Sequence, residues 1–297
     1  MEKYLKIARA SEIKSRKERI IYRAFEILPG FLSWTALFLA LILSWLRPFW
    51  IAVFIIIFTI FWFFRTIYFS LHLWSGYKTM RRNEKIDWME KVKTVKNWER
   101  IYHFVVIPMY KESFQIVRET FNSLALADYP KEKMIVVLAC EEKAKEDIEK
   151  TAQEIEKEFS SVFFRFLVTW HPSGRKGEIA GKGSNETWAV KKAKEEIIDN
   201  LDIPFEDIVF SSFDADTCIF SQYLSCLTYN YLTAEKPTRT SFQPVPLYIN
   251  NIWQAPVFSR IFSFSSTFWH TMNQERPEKL VTFSSHVMSF KALADVG

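Results

Sequence analysis

Residues 27–46 carry no charged side chain, and after Arg47 a second uncharged run covers residues 48–64. At about 1.5 Å of rise per residue the first run makes a helix of roughly 30 Å, the thickness of a bilayer's hydrocarbon core. A core helix of a soluble protein would show a polar face. Neither run has one, and beyond Arg65 the apolar character continues to Trp74. Pro48 cannot continue a helix without strain, so the turn between the two spans belongs at Arg47-Pro48. Residues 26–75 are therefore expected to form a transmembrane helical hairpin, which accounts for a chain with 28 Phe and 11 Trp among its 297 residues.

Charge sets the orientation. Residues 1–25 hold Lys3, Lys6, Arg9, Lys14, Arg16, Lys17, Arg19 and Arg23 against Glu2, Glu12 and Glu18, and the second span is followed by Lys78, Arg81, Arg82 and Lys85. Basic flanks stay in the cytoplasm. The expected arrangement is a basic cytoplasmic N-terminus (1–25), the hairpin (26–75), an interfacial linker (76–100) and a cytoplasmic domain (101–297), integral to the cell inner membrane. The formal charge of +5 sits at the membrane surface, which favours membrane lipids over nucleic acid as the partner. Trp74, Tyr77, Trp88 and Trp98 suit an interface, and equally suit ordinary packing. Three cysteines without a CxxC spacing point to a reducing compartment, and the five histidines show no HExxH pattern.

From residue 101 the pattern changes to short apolar segments alternating with amphipathic ones. Strands are predicted at 101–108, 134–140, 162–170 and 207–213, with helices at 113–128, 143–159 and 182–200. This alternation implies an α/β fold with a mainly parallel sheet. Such sheets bind ligands beyond the carboxyl ends of their strands, so residues just after each strand are the informative ones.

After the fourth predicted strand stand Asp214 and Asp216. In extended backbone i and i+2 point the same way, so two hard oxygen ligands are presented together. That suits Mg²⁺ or Mn²⁺ shared with a diphosphate; two solvated loop acids have the same pattern. Between the third and fourth strands four of the seven glycines (Gly174, Gly177, Gly181, Gly183) fall within ten residues, with Arg175, Lys176 and Lys182 placed to meet phosphates. Glycines there allow close backbone approach to a ligand, and the helix start after Gly183 offers free N–H groups.

The order of these motifs resembles glycosyltransferase family 2, with the GT-A (Rossmann-like) fold. The resemblance rests on residues 105–112 after the first strand, 181–185 before a helix, Asp214-Ala215-Asp216, the Gln243-Pro244 segment, and 282–297 with its Ala292-Leu293 and Val296-Gly297. It covers about residues 101–297, and the upstream hairpin makes it similar to membrane-bound polysaccharide synthases. It implies transfer of a sugar from a nucleotide-diphospho-sugar to a saccharide or lipid-linked acceptor, metal-dependent and inverting, a hexosyltransferase-type activity. Tyr110, Glu112, Glu141, Lys182, Asn185, Asp214 and Asp216 would bind the donor, Asp214 and Asp216 the metal, and Gln243, Trp269 and His286 would face the acceptor. The aromatic segment 258–269 reads either as packing or as contact with the membrane surface.

Two departures qualify the expectation. The family's Asp-Asp after the second strand is here Glu141-Glu142. The family's catalytic base lies after the position of Gly297, so the chain is expected to be a C-terminally truncated piece that binds donor and lacks its base. The alternative is a membrane-tethered nucleotide-sugar binding module without catalysis.

Overall fold

The computed structural model describes residues 10–175, 178–179, 181–250, 252–282 and 285–296. It divides into two compact units, one ending at His72 and one beginning at Leu73.

The first unit consists chiefly of two helices, α1 (Arg16–Leu46) and most of α2 (Pro48–Asn83). Ser15 caps α1, its hydroxyl accepting the Glu18 N–H at 3.4 Å. Pro29 lies inside α1. Arg47 breaks the helical path, with φ −146° and ψ 63°, while its N–H still closes on the Leu43 carbonyl at 2.8 Å. Pro48 then occupies the first position of α2, where its missing N–H costs nothing. No described residue of α1 is buried. Both helices are long and apolar enough to cross a membrane by length and composition. The second helix outlasts the predicted span: residues 76–83, expected in a linker, form its last two turns.

The second unit is an α/β domain. After α3 (Trp88–Lys93) come β1 (Tyr102–Met109), α4 (Phe114–Ala125), β2 (Met134–Glu141), α5 (Lys145–Phe159), β3 (Arg165–His171), α6 (Lys182–Ala193), β4 (Ile208–Ser212), α7 (Tyr223–Thr233), β5 (Ser241–Phe242), α8 (Val257–Asn273), β6 (His286–Ser289) and α9 (Phe290–Val296). The sheet order is β3-β2-β1-β4-β6-β5. The first four strands are parallel, β6 runs antiparallel to β4, and β5 antiparallel to β6. The expected mainly parallel sheet is thus present, with an antiparallel edge.

β1 and β2 are apolar along nearly their whole length because helices cover both faces. On one face Val105, Ile107, Val136 and Leu138 pack with Val117 and Phe121 of α4 and Ile148, Ile155 and Phe159 of α5. On the other, Phe104, Val106, Ile135 and Val137 pack with Ala189 and Ala193 of α6 and Phe290 of α9. Several predicted boundaries shift. β3 starts at Arg165 rather than 162, since Phe164 N–H turns aside to the Lys131 carbonyl. The helix predicted over 182–200 leaves α geometry at Lys194 for one π turn to Ile198. β5 stops at Phe242, ahead of the Gln243-Pro244 segment, where Pro244 and Pro246 have no N–H for a ladder.

Candidate active site

Parallel register brings the ends of four strands to one edge. Val106 lies opposite Ser212, Met109 opposite Cys140, and Glu141 opposite His171. The segments that follow these strands hold Tyr110 and Glu112, Glu141 and Glu142, the glycine-rich loop, and Asp214 with Asp216.

After β1 the chain turns through a short loop that Glu112 holds by itself. Its carboxylate accepts the backbone N–H groups of Tyr110 at 2.7 Å and Lys111 at 3.0 Å. Tyr110 is left 45% exposed, with its ring available to a planar ligand. Glu112 also lies near Cys140, whose thiol is pushed up to about 12 by burial first and by this carboxylate second.

At the ends of β2 and β3 stands a histidine between two acids. His171 Nδ1 is 3.1 Å from Glu141 Oε2, and its Nε2 is 3.0 Å from Glu178 Oε2. Burial works against the charged ring, yet the hydrogen bonds to Glu141 and Glu178 outweigh it and raise its pKa above 6.5. Only the imidazolium donates from both nitrogens at once. Glu142 adds a second tie, accepting the Ser173 N–H at 2.8 Å. Glu141, expected among the donor-binding residues, pairs with His171 here. Gly174 adopts φ +73°, a left-handed conformation that a side chain disfavours. Lys176, Gly177 and Gly297 lie outside the described residues.

Lys182 opens α6, and its ammonium meets the Asp214 carboxylate directly. Glu186, one turn further on, lies 3.6 Å from the same ammonium and accepts the Ser212 hydroxyl at 2.7 Å. Asn185 turns inward at 2% exposure, its amide donating to the Ala139 carbonyl at 2.8 Å. It joins α6 to the end of β2.

The Asp214–Asp216 turn is held on every side. Asp214 N–H donates to Thr217 Oγ1 at 3.1 Å, and Ser285 Oγ lies 2.9 Å from Thr217 Oγ1. Thr120 donates to the Ala215 carbonyl at 2.7 Å, and Asn250 to the Asp216 carbonyl at 2.6 Å. The Tyr248 phenol is raised in pKa by burial first, and then by the charges of Asp214 and Asp216. His286 pairs with Ser212 across β4 and β6, at this same edge. Gln243 is buried and donates to the Ser285 carbonyl at 3.2 Å, supporting the residue that braces Asp214. Trp269 stands on α8, 45% exposed, with its ring centre 6.1 Å from that of Phe268.

Glu186 and Asp214 both lie within ion-pair reach of Lys182, and Asp216 stands two residues on from Asp214; the three carboxylates carry a formal excess of two negative charges over that one lysine. That balance fits a divalent cation. The described residues contain no cluster of three or more protein metal ligands, and two aspartates are what a cation completed by phosphate oxygens and water uses. Glu186 was legible as the i+4 partner of Lys182 on a helix. Thr217 belongs to the same local turn as the aspartates, whereas Ser285 reaches the site only through tertiary contacts and carries no local signal.

The chain matches no protein-family model and no curated protein. Among solved structures it is similar to residues 1–349 of S. aureus TarS, with 24% identity over 42% of this chain and 30% of that one and a TM-score of 0.30. It is similar to the same TarS segment in complex with UDP-GlcNAc, with 24% identity, 42% and 29% coverage and a TM-score of 0.29. It is also similar to the mannosyltransferase PcManGT from Pyrobaculum calidifontis in complex with GDP-Man and Mn²⁺, with 13% identity, 78% and 56% coverage and a TM-score of 0.43. The chain spans less than two thirds of each of these structures.

Proposed function

We propose that the α/β unit binds a nucleotide-diphospho-sugar and transfers its sugar, with inversion, to a saccharide or lipid-linked acceptor, as a family 2 glycosyltransferase of GT-A fold working at the cytoplasmic face of the inner membrane. The observation that carries this reading is the meeting of Lys182 with Asp214 beside Asp216 and Glu186, where β4 ends and α6 begins.

The arrangement suits a diphosphate. Lys182 offers an ammonium to phosphate oxygens, and the first turn of α6 offers unpaired N–H groups. Tyr110 offers an exposed ring to the base, and Glu112 shapes the loop beneath it. Asp214 and Asp216 would hold Mg²⁺ or Mn²⁺, which when bound supplies positive charge for the leaving nucleoside diphosphate. The chain's own work is to aim the two carboxylates, through the hydrogen bonds of Thr217, Ser285 and Asn250, and to balance them with Lys182. Gln243 and His286 would face the acceptor.

Calorimetry with a panel of nucleoside diphosphates, with and without Mn²⁺, tests the reading. Metal-dependent binding by the wild-type chain, abolished in a folded Asp216→Ala variant, is the expected result. Unchanged affinity in that variant would remove the aspartate pair from the donor site and with it the core of the reading.

A further inference from the structure

α8 is amphipathic in the reverse sense of an ordinary surface helix. Phe258, Ile261, Phe262 and Trp269, spaced i, i+3, i+4 and i+11, lie on one stripe. They are 78%, 57%, 73% and 45% exposed. The opposite side makes polar contacts with the protein: Thr267 donates to the Pro246 carbonyl at 2.7 Å, Thr271 is buried, and Gln274 just past the helix donates to the Gln243 carbonyl at 2.9 Å, while Phe264 on that side is also exposed. Arg260 is the single formally charged residue between 257 and 273. An outward apolar stripe of this size marks an interaction surface.

Its place in the fold indicates what covers it. A Cβ at Gly76 would stand 2.2 Å from the Thr271 carbonyl oxygen, so the backbones of α2 and α8 are in direct contact there. Three residues on, Thr79 donates to Glu275 at 3.0 Å. Gly76 follows directly on Trp74 and Ser75, where the long apolar run of α2 ends, and Lys78, Arg81 and Arg82 come next. The end of α8 is therefore fastened to the turns of α2 that leave the hydrocarbon core, among basic side chains suited to anionic headgroups.

We propose that α8 is an interfacial helix, its Phe258–Ile261–Phe262–Trp269 stripe seated in the boundary between headgroups and acyl chains of an anionic bilayer. Such helices enter that boundary by about 5–10 Å, and Trp and Phe are suited to it. The proposal rests on α2 crossing the membrane and is independent of the sugar-transfer reading. Its structural consequence concerns the segment at residues 243–246. The inward face of α8 holds that segment, whose Gln243 supports Ser285 and through it Asp214, so a docked α8 ties the segment to the lipid surface.

The test places an environment-sensitive fluorophore on cysteines introduced one at a time into the full chain, in a Cys218→Ser, Cys226→Ser background that keeps only the buried Cys140. The protein is reconstituted in phosphatidylcholine–phosphatidylglycerol vesicles with doxyl-labelled acyl chains. Positions are Phe258→Cys and Phe262→Cys on the stripe, Phe58→Cys in the apolar run as positive control, and Lys150→Cys on α5 as aqueous control. Quenching and a blue-shifted emission at 58, 258 and 262, with neither at 150, is the expected result. Quenching at 58 without quenching at 258 and 262 overturns the proposal and leaves the membrane reading of α2 standing. Absence of quenching at 58 overturns both. Cross-linking between copies through position 258, without lipid quenching there, assigns the stripe to a second copy and also overturns the proposal.

Discussion

His171 shows how one side chain organises a loop. Its two nitrogens face Glu141 and Glu178, and its pKa is raised above 6.5 because the two hydrogen bonds outweigh burial. A raised folded-state pKa contributes stability that is complete below the unfolded value near 6.5 and is lost as pH rises through the folded value. The melting temperature of the wild type should therefore exceed that of His171→Gln most at or below pH 6.5, and the gap should close as the solution becomes alkaline. Thermal denaturation of both proteins across that range checks it; a gap that widens with pH would show that the imidazolium is not the stabilising form. His103 has the opposite sign. It is fully buried on β1, 2.8 Å from Thr228, and burial lowers its pKa to about 3. Its contribution is present above pH 6.5 and lost as pH falls towards 3, with a slope of up to about 1.4 kcal/mol per pH unit. Replacing it with Asn should flatten the acid limb of the stability profile measured by denaturant titration.

At the scale of elements, the crossing of α2 and α8 depends on a missing side chain. Alanine is a better helix former than glycine by about 1 kcal/mol, so Gly76→Ala would stabilise a free helix. Here the added Cβ would lie 2.2 Å from a backbone oxygen, which cannot swing away as a side chain would. Overpacking of this kind costs about 1–3 kcal/mol, and it should win. Gly76→Ala is expected to lower the melting temperature, and an unchanged or raised value would mean that the two helices separate freely. α6 illustrates a second device. Its Asn185 is committed to β2 while Lys182 and Glu186, on the neighbouring face, reach the β4 edge. One helix therefore locks its own position and presents the charges of the site.

For the whole molecule, the basic flanks and the two apolar helices predict a topology that labelling can check. With Cys218 and Cys226 replaced, cysteines introduced at Lys14 and Lys143 should both be protected from an impermeant reagent in intact cells and react once the membrane is opened. Reaction of either in intact cells would place that flank outside.

The uncharged runs, the alternation of apolar strands with amphipathic helices, and the pairing of Asp214 with Asp216 are local properties, each readable from period and residue type. They determined the two long helices, the parallel part of the sheet and the edge at which the candidate site lies. Boundaries moved where a competing contact won. α2 runs on through Gly76 to Asn83, and Phe164 turns to Lys131 instead of extending β3. The antiparallel edge strands, the clamp of His171 between Glu141 and Glu178, the bracing of Asp214 by Ser285 and the outward apolar face of α8 were decided only by the tertiary structure. Each joins residues far apart in the chain or depends on which face a neighbour covers, and a periodic pattern records that a helix has two faces without recording which one the rest of the chain will bury.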